Sequence, residues 1–180
     1  MRKIFFLLGS LADSDIDWII AHGVKERLNS GAVLIREGAA INALYLVLDG
    51  SLAVSTGGVG GRQLARLGTG DIVGEMSFID TRPPSATVTA LENAVVLGVP
   101  RKAVTARLTG DSEFAARFYR ALAVLLSHRL RDTNRALSSG VRKEGNAEDS
   151  EDADELDPAV LDTVHLAASR FNRVLKLLSE

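Results

Sequence analysis

Between Ala32 and Val99 the chain breaks into short Val-, Ile- and Leu-rich segments separated by Gly, Asn and Asp, and this pattern limits its fold more than any other feature. The segments at 33–36, 44–48, 52–55, 63–67, 86–91 and 94–99 read as strands. The short, regular spacing of most of them argues against crossover helices, so the pattern predicts antiparallel strands closed into a barrel or sandwich. Asp49-Gly50, between two segments, is the pair a two-residue hairpin turn favours, because both central positions need positive φ. The stretch "TGGVGG" at 56–61 reads as a flexible hairpin loop, since it lies between two strands and position 63 is not glycine.

Helical periodicity flanks the strands. Residues 4–28 read as helix, with Ile16, Ile19, Ile20 and Val24 at helical spacing and Ser14 or Asp15 as the cap. Pro100 is expected in the first turn of a short helix over 101–108 that Gly110 ends. A longer helix is expected from Asp111 or Ser112 to about Leu137. Its apolar stripe of Tyr119, Leu122, Leu126, Leu130, Thr133 and Leu137 would pack on the barrel or on a second copy. Asp157-Pro158 opens a last amphipathic helix whose Leu161, Val164, Ala168, Phe171, Leu175 and Leu178 form a heptad-like seam. Fewer than three heptads favours docking, on the same body or on a protein partner, over an independent coiled coil.

With 180 residues, 46% of them hydrophobic, the chain has material for one core and an appendage. The expected division is a domain over 1–137, an acidic linker over 138–157 and the helix over 158–180. Eight carboxylates and no Lys or Arg lie between Glu144 and Asp157, so the other residues carry 15 acids against 21 basic groups. Such a run is a solvated linker, or in a sharper reading a strap that masks a basic face. The absence of cysteine excludes disulfides and thiolate metal sites and makes the cytoplasm the expected location. The start, Met1-Arg2-Lys3 followed by five apolar residues, imitates a signal peptide but meets Asp13, Asp15 and Asp17 too soon, and no later run is long enough to span a membrane.

Nothing in the pattern reads as an enzyme or requires a cofactor. His22, His128 and His165 fall in different expected elements without metal-ligand spacing, and no serine sits in a nucleophile motif. The stretch "GEMSFIDTRPPSATV" at 74–88 is different, because Gly74-Glu75-Met76-Ser77 reads as the start of a short helix whose free amides suit an anion, with hydroxyls of Ser85 and Thr87 following.

Helices, a short-stranded barrel containing Gly-Glu-aliphatic, a Pro-rich turn and Ala-Thr-Val, then two helices: over about 10–137 this resembles the cyclic nucleotide-binding domain of bacterial regulators and kinase regulatory subunits. The resemblance is carried by "VLIREG" at 33–38, "ALYLVLDGSLAVS" at 43–55, "LARLGTGDIVGEMSFI" at 64–79 and "SATVTALENAVVLGVPRKAV" at 85–104. It implies a double-stranded β-helix, or jelly-roll, barrel. It also implies a ligand pocket at Gly74, Glu75, Met76, Ser77, Pro84, Ser85 and Ala86 for cyclic AMP or another cyclic nucleotide. Glu75 would accept from the ribose 2′-hydroxyl, and the amides of Met76 and Ser77 would face the phosphate. Pro84 stands where the family carries its phosphate-pairing arginine, and Arg82 is the nearest alternative cation. The long helix would cover the ligand with one of Ser127, His128, Arg129 or Arg131 and pair two copies through 111–137. Only one helix follows, so no direct DNA contact is expected. Two readings stand: a nucleotide sensor, and a scaffold that keeps the fold without the ligand.

Overall fold

The computed structural model describes residues 8–80, 82–141 and 158–178. Residues 8–10 are helical, and four longer helices follow in the chain: α1 (Asp13–His22), α2 (Arg101–Gly110), α3 (Ser112–Val141) and α4 (Pro158–Leu177). The strands are β1 (Val24–Leu28), β2 (Val33–Ile35), β3 (Ala43–Asp49), β4 (Ser51–Thr56), β5 (Arg62–Gly68), β6 (Ile72–Val73), β7 (Thr87–Ala90) and β8 (Ala94–Pro100). They form two four-stranded antiparallel sheets, in the orders β1-β8-β3-β6 and β2-β7-β4-β5, giving the expected jelly roll with flanking helices.

Alternation along the strands divides the apolar residues between two cores. Leu44, Leu46 and Leu48 of β3, with Leu97 and Val99 of β8, pack toward the helices. Val47 of β3 and Val96 of β8 point between the sheets, where they meet Leu52, Leu67 and Val88. Being covered on both faces, β3 and β8 read as continuous apolar runs.

Several expectations are corrected. Residues 24–28 are not helix: Val24 to Leu28 pair with Gly98 to Ala94, and the helix ends at His22. The N-cap of α1 is Ala12, and Asp15 instead accepts the Ala12 N–H at 2.9 Å from the third helical position. Asp49-Gly50 does not close a hairpin, because β3 and β4 lie in different sheets. Gly50 does have φ 81°, and a Cβ there would lie 2.7 Å from the Asn93 carbonyl oxygen, so the pair makes a tight corner between sheets. Pro100 ends β8 and caps α2 from outside its first turn.

On α3 the buried side chains are Phe114, Phe118, Ala121, Leu122 and Leu125, whereas Tyr119 and Leu130 of the expected stripe are exposed. The seam of α4 is likewise shifted: Ala167, Phe171 and Val174 are buried against the chain's own body, and the side chains of Leu161 and Val164 lie outside the described residues. Residues 142–157, which hold the acidic run, also lie outside them.

Charge ties the helices together around α1. The fully buried Asp15 carboxylate accepts from Arg107 of α2 at 2.6 Å and from Arg117 of α3 at 2.8 Å. Arg170 of α4 donates to Asp13 at 2.7 Å and to the Leu8 and Leu11 carbonyls at 2.6 and 2.7 Å, and Arg173 pairs with Asp17 at 2.8 Å. At the C-terminal end of α4, Lys25 donates to the Leu178 carbonyl, a favourable place for a cation.

Candidate functional site

A cavity of about 850 Å³ opens beside the second sheet, within the size range of small-molecule sites. Aliphatic side chains such as Ile35, Val73 and Val88 form its inner wall, the segment after β6 and the turn before β7 form one side, and α3 contributes Arg129 and Thr133.

The segment after β6 begins with Gly74 at φ 91°, followed by the 3-10 helix Glu75–Phe78. The backbone angle favours glycine, and a Cβ on Gly74 would displace Ile41 Cδ1 and sit tightly, at 3.1 Å, against the Ala43 carbonyl oxygen. Phe78 at the end of this helix meets Phe118 of α3 edge-on at 6.2 Å and lies beneath the Arg101 guanidinium of α2 at 5.4 Å, which fixes the segment against two helices.

Glu75 is buried, 1% exposed, and its carboxylate accepts a hydrogen bond from Arg129 Nη1. Arg129 Nη2 also donates to the Ile72 carbonyl, so one arginine on α3 grips both the pocket's carboxylate and the strand before it. Its buried Nε–H has no acceptor among the described residues. A buried donor without an acceptor carries a desolvation cost. Thr133, one turn along α3, donates to the Arg129 carbonyl at 2.9 Å.

The Pro-rich turn is positioned by its backbone. The Pro84 carbonyl accepts from Gly38 N–H at 2.9 Å, and the buried Thr87 hydroxyl accepts from Glu37 N–H at 3.1 Å, so the end of "VLIREG" holds the turn in place. Glu37 in turn accepts from Gly57 N–H at 2.9 Å, which ties down the glycine-rich tip of the β4–β5 hairpin.

Six of the seven expected site residues line this one cavity: Gly74, Glu75, Met76, Pro84, Ser85 and Ala86. Ser77 lies in the 3-10 helix, with its side chain outside the described residues. Met76 is at the rim, about half exposed. Arg82 also lines the cavity, with its guanidinium 3.9 Å from Asp80 at an exposed position. Of the four candidates on α3 the cavity takes Arg129, and Ser127, His128 and Arg131 are not in its wall. Arg62 of β5, which the sequence did not single out, is in the wall.

Residues 25–111 match the family model of the cyclic nucleotide-binding domain. The chain belongs to the cyclic nucleotide-binding domain family. The chain is 31% identical over 130 residues to the cyclic AMP receptor protein of Thermus thermophilus, a match covering 71% of this chain and 58% of that protein. The chain thus spans just over half the length of that relative. Among solved structures, it resembles the N-terminal domain of a transcriptional regulator from Streptomyces coelicolor A3(2), with TM-score 0.58 and 30% identity over 73% of this chain and 91% of that one. It also resembles the regulatory domain of Toxoplasma gondii PKA, solved with cAMP, with TM-score 0.52 and 30% identity over 56% of this chain and 39% of that one. The site lies within the matched cyclic nucleotide-binding domain, except for Arg129 and Thr133 on α3.

Proposed function

We propose that this chain is a non-catalytic, cytoplasmic regulator whose cavity binds cyclic AMP or another cyclic nucleotide and whose helices pass the binding event to a protein partner. The observation that carries this reading is the Glu75–Arg129 pair, which joins the buried acceptor of the pocket to the long helix. A ribose hydroxyl donating to Glu75 competes with Arg129 for the same carboxylate, so occupancy changes what holds α3 to the pocket.

From α3 the route to the C-terminal helix runs through charge. Arg117 on α3 grips Asp15 of α1, and α1 grips α4 through Asp13 and Asp17. A shift of α3 therefore bears on the docking of α4, whose release would expose Ala167, Phe171 and Val174 to a partner. Tyr119 and Leu130, exposed on α3, are the residues on which a second copy would pack. No helix among the described residues is long and apolar enough to cross a membrane.

A thermal-shift panel of cyclic mononucleotides tests the reading, because a ligand bound only to the folded state raises the melting temperature by mass action. A rise with at least one member is expected, and no shift with any of them at millimolar concentration overturns it. The second reading is a scaffold that keeps the fold without the ligand. Pro84 favours it, since that position offers neither a guanidinium nor an N–H.

A further inference from the structure

The charges around the cavity do not balance. Three arginines are among its lining residues, Arg62, Arg82 and Arg129, against two acidic residues, Glu75 and Asp80. Arg129 is engaged with Glu75, and Arg82 is 3.9 Å from Asp80. Arg62 forms no ion pair with the described residues, so it supplies the cavity's uncompensated positive charge.

The strand register places Arg62 at the same level as the Pro-rich turn. Ser55 on β4 is paired on one side with Thr87 of β7 and on the other with Gln63 of β5. One step further along β4, Thr56 is paired with Arg62, and on the β7 side that step leads to Ala86 and the turn containing Pro84 and Ser85. Arg62 thus lies two strand spacings, roughly 10 Å, from the turn. A phosphate seated between them is within reach of a long side chain crossing the sheet. The hairpin tip that carries Arg62 is itself anchored, through Gly57 N–H to Glu37, to the segment that holds Pro84.

We infer that Arg62 of β5 replaces the missing turn arginine: its guanidinium pairs with the ligand's phosphate from across the second sheet, while Glu75 receives the hydroxyl. The ligand's phosphate meets Arg62 on its β5 side while its hydroxyl meets Glu75, and the site selects a nucleotide over its nucleoside through Arg62. This inference rests on the nucleotide-sensor reading above.

Calorimetric titration of the full chain with cyclic AMP, cyclic GMP and adenosine tests it, using wild type, Arg62→Gln, Arg62→Lys and Arg66→Gln. Arg66 is the control, since it serves Ser51 and Glu92. Arg62→Gln is expected to weaken the cyclic nucleotide that binds wild type by about ten- to a hundredfold, the usual loss of a charge-assisted hydrogen bond. Arg62→Lys falls between, because it keeps the charge but not the fork, and Arg66→Gln stays within about twofold of wild type. Adenosine binds wild type and Arg62→Gln alike. A wild type that binds a cyclic nucleotide with an Arg62→Gln variant that binds it equally well overturns this inference alone. A wild type silent to every probe overturns the sensor reading and this inference together.

Discussion

Arg129 on α3 and Glu75 at the base of the cavity form an ion pair in which the carboxylate is buried and the arginine keeps a quarter of its side chain in contact with solvent. Replacing Arg129 by Met leaves that carboxylate in a low-dielectric site without its partner. The expected cost is about 3 kcal/mol, the lower end for a broken buried pair because water still reaches the site. Glu75→Gln should cost less, since the arginine left behind is partly hydrated. The double variant Glu75→Gln/Arg129→Met should recover part of the loss, and urea unfolding of all four proteins measures the coupling.

Installing the guanidinium that the turn lacks should strengthen nucleotide binding. Pro84 contributes its carbonyl to Gly38, and a Pro84→Arg substitution keeps that carbonyl. Titration of this variant with cyclic AMP should give an affinity about ten- to a hundredfold above wild type. An unchanged affinity would mean that the turn does not aim its side chain at the phosphate.

The Asp15 cluster should make stability depend on acid. Burial pushes the Asp15 pKa up, but the Arg117 hydrogen bond, the Ala12 N–H and the charges of Arg117 and Arg107 outweigh it, so the folded value lies below 3.8. A lowered carboxyl pKa stabilises the fold at pH values above 3.8, and the contribution disappears as pH falls through the folded value. Urea unfolding across pH should show wild type exceeding Asp15→Asn by a constant margin near neutrality, with the margin shrinking below about pH 3.8. A margin that does not change with pH would remove Asp15 from the acid response.

The docking of α4 depends on Phe171, 2% exposed among helix side chains. Phe171→Ala should remove about 3 kcal/mol or more from the docked state, as large-to-small core changes do. Hydrogen exchange should then accelerate in α4 while the amides of β3 and β8 keep their protection. Simultaneous loss of protection in the strands would mean that α4 and the barrel unfold as one unit.

The barrel was legible because β3, β4, β7 and β8 bury most of their side chains, and burial leaves apolar runs in the sequence. Strand β1 was not legible, since it is an edge strand whose Val24-Lys25-Glu26-Arg27-Leu28 is largely solvated. Its composition carries no strand signal, and pairing with β8 decides its state. Asp49-Gly50 did announce a positive φ, but which strands pair across a corner is set by distant partners. In the site, Gly74-Glu75 and the Pro-rich turn could be read locally. Choosing Arg129 over its neighbours required knowing which face of α3 turns to the cavity, and Arg62 became visible only once β5 had a register.

The interleaving of the two sheets has a consequence for how the chain is made. Val24 of β1 pairs with Gly98 of β8, and β3 lies on the other side of β8, so the first sheet lacks its central connection until β8 exists. A chain emerging from the ribosome therefore holds β1, and the edge of β3 that faces away from β6, unpaired until Ala94 to Pro100 are out. Closing so long a loop is slow compared with local helix formation, which makes this interval the one in which nascent chains are most exposed to aggregation and to chaperones.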